Sequence, residues 1–251
     1  MNKIALVSGA TAGIGNATAK LLAKNNFNLI ITGRRKERLD ELKNELEKEF
    51  NVEVCTLSFD IRNKEQVFNA IENLPSNFKQ IDVLINNAGL ASGLGTIQDG
   101  DIDDWEKMVD TNIKGLLYLT KAVSPIMIEN RKGHIVNIGS IAGKEVYPNG
   151  NVYCATKAAV RTLSAGMRID LVDYGIRVTD IQPAKVQTNF EATRFRGKDT
   201  TKQDTYESYT PLQAEDVADA IVYAASRPPH VQITELAVNP TDQASAVVFR
   251  T

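Results

Sequence analysis

The stretch IALVSGATAGIG, residues 4–15, joins a short apolar run to a cluster of glycines. A segment of helical character, residues 16–24, follows it directly. Glycine lets the backbone turn tightly and approach a ligand closely, because it has no Cβ. A helix that begins at such a turn offers free N–H groups and the positive end of its dipole to a phosphate. The order of strand, glycine turn and helix therefore predicts a phosphate-binding turn in an α/β domain, and a plain tight turn is the weaker interpretation.

The spacing of these glycines, Gly9-x-x-x-Gly13-x-Gly15, differs from the Gly-x-Gly-x-x-Gly pattern of the common dinucleotide fingerprint. It is not a P-loop either, because no Gly-Lys-Ser/Thr follows. Its position between a predicted strand and a predicted helix is what favours nucleotide binding. We expect the phosphates of a nucleotide cofactor to contact Gly9, Thr11, Gly13, Ile14 and Gly15.

Short apolar runs alternate with segments of helical period along the whole chain. The runs predicted as strands are residues 4–7, 29–31, 52–57, 81–85, 135–138, 176–181 and 234–238. Helical patterns such as residues 35–49 and 103–129 separate them. This alternation predicts an α/β fold in which a parallel sheet is covered by helices on both faces. Because no linker divides the chain, residues 1–251 are expected to form a single domain. The irregular polar segment 188–211 is predicted to be either a substrate-loop insertion or a plain surface loop.

The composition argues against several classes of function. The 251 residues carry a net charge of −2 and no long basic run, which disfavours binding to nucleic acid or to a membrane surface. No apolar segment approaches the ~20 residues that a membrane span requires, and nothing resembles a signal peptide. Cys55 and Cys154 cannot form a disulfide framework, and two isolated histidines, His134 and His230, are too few for a zinc site. We therefore expect no metal and a reduced, cytoplasmic location.

The second predicted strand ends in TGRR, residues 32–35. Sites that prefer NAD place an acidic residue near this position, where it binds the ribose 2′-hydroxyl. Gly33 stands here instead, and Arg34 and Arg35 follow it. A guanidinium can bind a 2′-phosphate through paired, charge-assisted hydrogen bonds. The pattern predicts NADP(H) as the cofactor. It favours Arg34 for the phosphate, because Arg35 is equally well explained as the start of an exposed, charged helix.

Tyr153 and Lys157 stand four residues apart in YCATK, residues 153–157. On a helix this spacing puts both side chains on one face. A free phenol has a pKa near ~10, so lowering it to ~7 requires on the order of 4 kcal/mol. A cation ~4 Å away supplies ~1 kcal/mol in water but ~4 kcal/mol at an effective dielectric of ~20. The pair therefore predicts an acid–base tyrosine, its pKa lowered by Lys157, provided that both lie in a shielded cleft. A surface Tyr and Lys is the alternative.

Ser140 follows the predicted strand 135–138, at the edge where open parallel sheets bind ligands. A lone serine at this position is usually only a turn residue. Together with Tyr153 and Lys157, we expect it to hydrogen-bond the substrate oxygen and to stabilise the charge that develops there. The three residues predict reversible hydride transfer, coupled to proton transfer, at a hydroxyl or carbonyl carbon.

Taken together, these motifs resemble the short-chain dehydrogenase/reductase family from one end of the chain to the other. The motifs are residues 8–15, 60–61, 86–89 and 110–115, with Ser140, Tyr153 and Lys157. The resemblance implies one Rossmann-type domain with a doubly wound, seven-stranded parallel sheet. It also implies that Asp60 and Ile61 line the adenine pocket, and that Asn112 holds a water and Lys157 in a proton relay. Further implied cofactor contacts are Asn87, Ala88, Gly89, Tyr153, Lys157, Pro183, Val186 and Thr188.

A closer resemblance is to the NADP-dependent 3-hydroxy acid dehydrogenases, a group that includes serine dehydrogenases. Residues 139–143, 147–148, 153–155, 218–227 and 239–245 carry it. The group usually has Gly where this chain has Ala184, and Glu where it has Gln187. A broad ketone or aldehyde reductase, natural or engineered, therefore stays an alternative, and a non-catalytic NADP-sensing protein is a more remote one. Family members commonly form dimers or tetramers, so a homo-oligomer is expected.

A 3-hydroxy acid needs a cationic partner for its carboxylate. Arg194 and Arg196, within the segment 188–211, are candidates, and Lys185 is a third. Solvated loop charges are an equally favoured interpretation of all three. The expected substrate edge also contains Ser140, Tyr147 and Gln187. The apolar tail, residues 244–249, is predicted either to join a subunit interface or to pack within its own subunit.

Overall fold

The structure is a computed structural model that describes residues 2–195 and 209–250. Its strands are β1 (Ile4–Ser8), β2 (Asn28–Gly33), β3 (Val54–Ser58), β4 (Ile81–Asn86), β5 (Gly133–Ile138), β6 (Ile176–Pro183) and β7 (Glu235–Val238). Its α-helices are α1 (Gly13–Lys24), α2 (Lys36–Phe50), α3 (Lys64–Glu72), α4 (Ile102–Val109), α5 (Leu116–Glu129), α6 (Asn151–Leu171), α7 (Phe190–Arg194) and α8 (Ala214–Ser226).

All seven strands form one parallel sheet in the order β3-β2-β1-β4-β5-β6-β7. After β3 the chain crosses to the other side of β1, so the strand order reverses between β1 and β4. In open parallel sheets a ligand-binding crevice opens at the carboxyl ends of the strands at such a reversal. The predicted single, doubly wound, seven-stranded domain is confirmed.

Two apolar clusters cover the two faces of the sheet. Successive side chains of a strand point to opposite faces, and β1 shows the consequence. Ala5 and Val7 pack in the cluster under α1, α2 and α8, whereas Leu6 packs in the cluster under α3 and α5. All three residues are completely buried. The sheet therefore needs helices on both faces, and the central strands read as continuous apolar runs.

The helical pattern predicted over residues 103–129 is interrupted. A π-helical turn, Asp110–Gly115, separates α4 from α5. The periodicity of the sequence runs through this point without a break. Tertiary contacts accompany the interruption, because Asn112 hydrogen-bonds outside its own helix and Gly115 lies against Ile61. Single π-turns inside α-helices occur frequently at functional sites.

The irregular segment predicted over residues 188–211 contains one short helix, α7, within the residues that the structure describes. Val186 and Leu212, on either side of it, form an isolated parallel bridge. The ends of the segment are therefore held together at the carboxyl edge of the sheet. No helix in the described ranges combines the length and apolar character needed to cross a membrane.

Candidate active site

A cleft with a cavity of about 660 Å³ opens at the carboxyl ends of the strands, where the strand order reverses. This volume falls in the range of small-molecule and cofactor sites. Its walls come from the glycine turn after β1, the loop after β4, the end of β5, the start of α6, and α7. Predicted cofactor contacts on these walls are Gly9, Thr11, Gly13, Ile14, Arg35, Asn87, Ala88, Gly89, Tyr153, Lys157, Pro183, Val186 and Thr188.

The glycine turn has no room for side chains. Gly9 and Gly13 have φ values of +66° and +52°, a region that favours glycine. A Cβ added to Gly15 would lie 2.4 Å from both the Asn87 side chain and the Gly9 carbonyl oxygen. α1 begins here after Ala12, whose side chain caps no helix N–H. The turn therefore presents uncapped N–H groups in a cradle that a Cβ would fill, which fits a bound diphosphate.

Ser8 joins the glycine turn to the loop after β4. Its Oγ accepts hydrogen bonds from the backbone N–H groups of Asn87 and Ala88, both at 3.0 Å. The Asn87 side chain donates back to the Ser8 carbonyl oxygen at 2.8 Å. Ser8 is fully buried, so these bonds fix the two loops relative to one another.

Four predicted cofactor residues do not line the cavity: Gly15, Arg34, Asp60 and Ile61. Arg62 binds the Asp60 carboxylate through Nη2 at 2.6 Å and Nε at 3.0 Å, which lowers the pKa of that carboxyl. The charge of Arg34 lowers it further. Ile61 belongs to the core cluster under α3 and α5. The implied adenine-pocket role of Asp60 and Ile61 stays a prediction.

The two neighbouring arginines take different places. Arg35 lines the cavity, and its Nη2 donates a hydrogen bond to Thr11 Oγ1 at 2.7 Å. Arg34 lies near Asp60 instead. The residue that the sequence favoured for the 2′-phosphate is thus not the arginine on the cavity wall.

Ser140, Tyr153 and Lys157 share one wall of the cleft. Ser140 follows β5, and its hydroxyl lies on the same wall as the Tyr153 phenol, whose pKa it lowers. Its hydroxyl also lies 3.2 Å from the Pro183 carbonyl oxygen. Lys157 Nζ lies 5.9 Å from the centre of the Tyr153 ring and donates to the Ile138 carbonyl oxygen at 2.8 Å. The structure therefore brings together the three residues that the sequence selected.

The electrostatics of Tyr153 differ from the sequence prediction. Burial raises the pKa of its phenol, and repulsion from the Tyr147 phenol raises it further. The Ser140 hydroxyl and the Arg194 charge oppose this rise without reversing it. Burial lowers the pKa of Lys157 to about 8. The predicted net lowering of the Tyr153 pKa is wrong for this structure, because the effect of burial outweighs the charges that would lower it.

Asn112, in the π-helical turn, ties the loop after β4 to α6. Its Oδ1 accepts from the Leu90 N–H at 2.9 Å, and its Nδ2 donates to the Leu90 carbonyl at 2.8 Å. The same Nδ2 lies 3.0 Å from Thr156 Oγ1, one residue before Lys157. Asn112 therefore holds the frame around Lys157 without bonding to it directly. Its role in a water relay stays a prediction.

Arg194, at the end of α7, lies against both tyrosines. Its Nη2 donates to the Tyr147 hydroxyl at 3.0 Å, and its Nε donates to the Gly93 carbonyl at 3.2 Å. Its guanidinium carbon lies 5.7 Å from the centre of the Tyr153 ring. Lys185 also lines the cavity, with Nζ 5.5 Å from the Phe249 ring centre. Two of the three predicted anion partners are thus in the cleft.

The other two predicted substrate residues at this edge have different outcomes. Gln187 is exposed and does not line the cavity, and its place at the substrate edge stays a prediction. Its N–H bonds to Leu212, which continues the bridge of the neighbouring Val186, and its side chain bonds to Gln213 at 3.0 Å. Arg196 lies outside the described residues.

A model of the short chain dehydrogenase family matches residues 3–199. The chain belongs to this family. An NADP-dependent 3-hydroxy acid dehydrogenase of Salmonella typhi is 46% identical over 97% of both chains. Sulfoacetaldehyde reductase 2 of Chromohalobacter salexigens is 45% identical over 97% of this chain and 96% of the relative. Among solved structures, the closed form of serine dehydrogenase complexed with NADP⁺ is 44% identical over 97% of both chains, with a TM-score of 0.91.

Membership of the short chain dehydrogenase family confirms the resemblance drawn from the motifs and makes the chain an oxidoreductase.

Sequence reasoning missed some residues of the cleft. The Phe190 ring packs edge-on against Tyr153, with ring centres 5.8 Å apart, and Val247 and Phe249 line the cavity. The tail is held to its own subunit, because the Ala246 N–H bonds to Glu145 at 2.6 Å. Of the two predictions for the tail, packing within one subunit matches this contact.

Proposed function

We propose that this enzyme uses NADP(H) to interconvert a hydroxyl and a carbonyl group on a small anionic substrate, with 3-hydroxy acids such as serine as the leading class. The observation that supports the anionic class is the position of Arg194. A cation from a separate helix lies 5.7 Å from the ring of the acid–base tyrosine, inside the same cleft. The 3-hydroxy acid dehydrogenase relative supports the same class.

The glycine turn would hold the cofactor diphosphate through its uncapped N–H groups. Arg35, with Arg34 nearby, would hold the 2′-phosphate that distinguishes NADP(H) from NAD(H). Asn87, Ala88 and Lys157 would contact the nicotinamide half of the cleft. When bound, the nicotinamide supplies or accepts the hydride.

Tyr153 supplies or removes the proton. Because its pKa is raised by burial, the phenol is protonated at neutral pH and ready to donate a proton to a carbonyl oxygen during reduction. In oxidation Tyr153 must first be a phenolate, which takes the proton of the substrate hydroxyl, and the Lys157 cation would stabilise that phenolate. Ser140, on the same wall of the cleft, would donate a hydrogen bond to the substrate oxygen.

Arg194 would bind the anionic end of the substrate. A guanidinium has five N–H donors, and the bonds to Tyr147 and Gly93 use two of them. These two bonds also fix the orientation of the guanidinium before substrate arrives. A carboxylate and a sulfonate both suit such a group. The sulfoacetaldehyde reductase relative, at 45% identity, makes a sulfonated aldehyde the second candidate substrate.

A matched pair of substrates tests the proposal. 3-Hydroxypropionate and its neutral amide differ at the anionic end and share the reacting hydroxyl. With NADP⁺, we expect kcat/KM to favour the acid by roughly 10- to 150-fold, because a charge-assisted hydrogen bond contributes ~1.5–3 kcal/mol. Equal values for acid and amide would instead indicate a broad carbonyl reductase. NADPH binding without turnover of any hydroxyl or carbonyl compound would indicate a nucleotide-sensing protein.

We also infer a cytoplasmic homo-oligomer, as the sequence predicts. Cys55 and Cys154 are free thiols, in keeping with a reducing compartment. Ile169 and Val172, at the end of α6 and just beyond it, are 76% and 65% exposed, in keeping with a subunit contact. Light scattering on the purified protein distinguishes a dimer or tetramer from a monomer.

A further inference from the structure

Asp180, in the middle of β6, carries a carboxylate that water does not reach. The residue is completely buried. The sheet register places it beside Asn137 of β5 and Glu235 of β7. Side chains of paired residues in parallel strands point to the same face, so these three polar residues form a row across the sheet. α6 covers this row, because Ser164 of α6 bonds to Asn137 at 2.8 Å.

The carboxylate lies directly against the backbone that carries the catalytic residues. A Cβ added to Gly139 would lie 2.3 Å from Asp180 Oδ1. Gly139 stands between Ile138, whose carbonyl oxygen accepts from Lys157 Nζ at 2.8 Å, and Ser140. The absence of a side chain at Gly139 is therefore what lets the carboxylate approach the site from behind.

The hydrogen bonds of Asp180 are incomplete. Its Oδ2 accepts from the Gln182 side chain at 2.6 Å. Its Oδ1 is buried and has no hydrogen-bond partner within the ranges that the structure describes. A buried carboxylate with one oxygen unpaired is costly unless a cation lies near it. Lys157 is only 8% exposed, so its buried positive charge is likewise costly unless an opposite charge lies near it.

We propose that Asp180 is a positioning residue, whose buried negative charge keeps the Lys157 ammonium charged and in place behind Tyr153. Lys157 donates its hydrogen bond to Ile138 rather than to the carboxylate, so the two interact through charge over a longer distance. Their attraction is mutual. Burial lowers the pKa of Lys157, and the charge of Asp180 raises it. Burial raises the pKa of Asp180, and the charge of Lys157 lowers it. The inference rests on the proposed catalytic role of Lys157.

Other charged groups lie around Asp180 and Lys157. Glu235, the next carboxylate along the row, is held by Lys144 at 2.7 Å and by Arg161 at 3.0 Å. Its charge still raises the pKa of Asp180, while Lys144 lowers it. On the cleft side, the groups that face the site are Tyr153 and Arg194. Among these groups, Asp180 is the one whose charge raises the pKa of Lys157.

The test measures the two pKa values separately by NMR in the cofactor-free protein. Lysine labelled with ¹³C at Cε reports Lys157, whose signal is identified by its absence in Lys157→Met. In Asp180→Asn, we expect the pKa of Lys157 to fall from about 8 by roughly one unit or more. Aspartate labelled with ¹³C at the carboxyl reports Asp180. In Lys157→Met, its pKa should rise by a similar amount, because coupling between two sites is reciprocal.

Asp82→Asn is the matched control. It removes a carboxylate that also accepts a bond from a lysine, Lys132, but at the amino end of β4 and away from the cleft. The pKa of Lys157 should not change in it. In Asp180→Asn, the pH–rate limb that reports Lys157 deprotonation should move to lower pH by the same shift as the NMR value.

Unchanged pKa values in both arms would overturn the proposal. If Asp180→Asn does not fold, the Lys157→Met arm decides alone, since Asp180 is intact there. The proposed function fails in a different way. Coupled pKa values in a protein that turns over no hydroxyl or carbonyl substrate would leave the pairing of Asp180 with Lys157 standing and remove the reaction.

Discussion

The glycine-turn half of the cleft, residues 8–15 and 87–89, is shaped by backbone, whereas the substrate half is shaped by side chains from distant segments. In the first half, a Cβ at Gly15 would collide with Asn87 and with the Gly9 carbonyl, so the chain conformation itself forms the cradle. In the second half, Arg194 bonds to Gly93 and Tyr147, which lie far from it in sequence. The cofactor half tolerates little change, while the substrate half can change specificity by exchanging a few side chains.

Ser140 stands where the two halves meet, and among the variants that test the comparison of the halves its removal should have the largest effect. Ser140→Ala removes the hydroxyl that shares a wall with Tyr153 and is the donor proposed for the substrate oxygen. We expect kcat to fall by roughly 10²- to 10³-fold, as for the loss of one oxyanion donor. NADPH affinity should change little, because the glycine-turn half is untouched. A fall in kcat of less than tenfold would remove Ser140 from the chemistry.

Arg194 tests whether the substrate half selects charge. In Arg194→Gln, KM for 3-hydroxypropionate should rise by roughly 10- to 150-fold while KM for its amide changes little. Tyr147→Phe is the matched control, since it deletes the hydroxyl that Arg194 bonds at 3.0 Å and leaves the cation. Its effect should be smaller. Equal losses for acid and amide would mean that Arg194 supports the loop and does not bind the substrate.

Arg35 tests whether the glycine-turn half selects the 2′-phosphate. Because Arg35 lines the cavity beside Thr11, Arg35→Ala should weaken NADPH binding by roughly 10- to 150-fold and NADH binding little. Arg34→Ala, at the neighbouring residue near Asp60, should have the smaller effect. Fluorescence titration with both cofactors measures this. The reverse ranking would restore the assignment to Arg34 that the sequence favoured.

His134, near the amino end of β5, makes the stability of the protein depend on pH. Burial lowers its pKa from 6.5 to about 3, so below pH 6.5 the unfolded chain binds a proton that the folded protein does not. The stability that the neutral ring provides is present above pH 6.5 and is lost as pH falls towards 3. From pH 7 to pH 5 the free energy of unfolding should drop by about 2 kcal/mol through this group.

Urea unfolding at the two pH values measures the drop. His134→Gln should reduce the pH dependence, whatever it does to stability at pH 7. His230→Gln is the control, because it removes an exposed histidine that lies outside the sheet. An unchanged slope in His134→Gln would place the acid sensitivity elsewhere.

The fold could be predicted from sequence because its signals are local. Buried parallel strands are apolar runs between helices, and each strand of the sheet overlaps a predicted run. The break at Asp110–Gly115 could not be predicted, because the periodicity continues through it and the bonds of Asn112 that accompany it are tertiary. The glycine turn could also be predicted, because its glycines lie close together in the sequence, directly after a strand.

The substrate half and the electrostatics could not be predicted to the same degree. The spacing of Tyr153 and Lys157 puts them on one face, but the direction of the Tyr153 pKa shift depends on burial, which the spacing does not show. Arg34 and Arg35 are adjacent, and which one reaches the cavity depends on the extended backbone just before α2. Asp180 carried no motif that marked it, because its role follows from the register of β5 and β6.

The most direct test of the account is the kcat of Tyr153→Phe with NADP⁺ and 3-hydroxypropionate, measured by the absorbance of the reduced nicotinamide. We expect a fall of at least ~10²- to 10⁴-fold with NADPH binding retained, because the substitution removes only the proton-carrying oxygen. Parent-like turnover in this variant would contradict the central claim that the Tyr153 phenol transfers the proton.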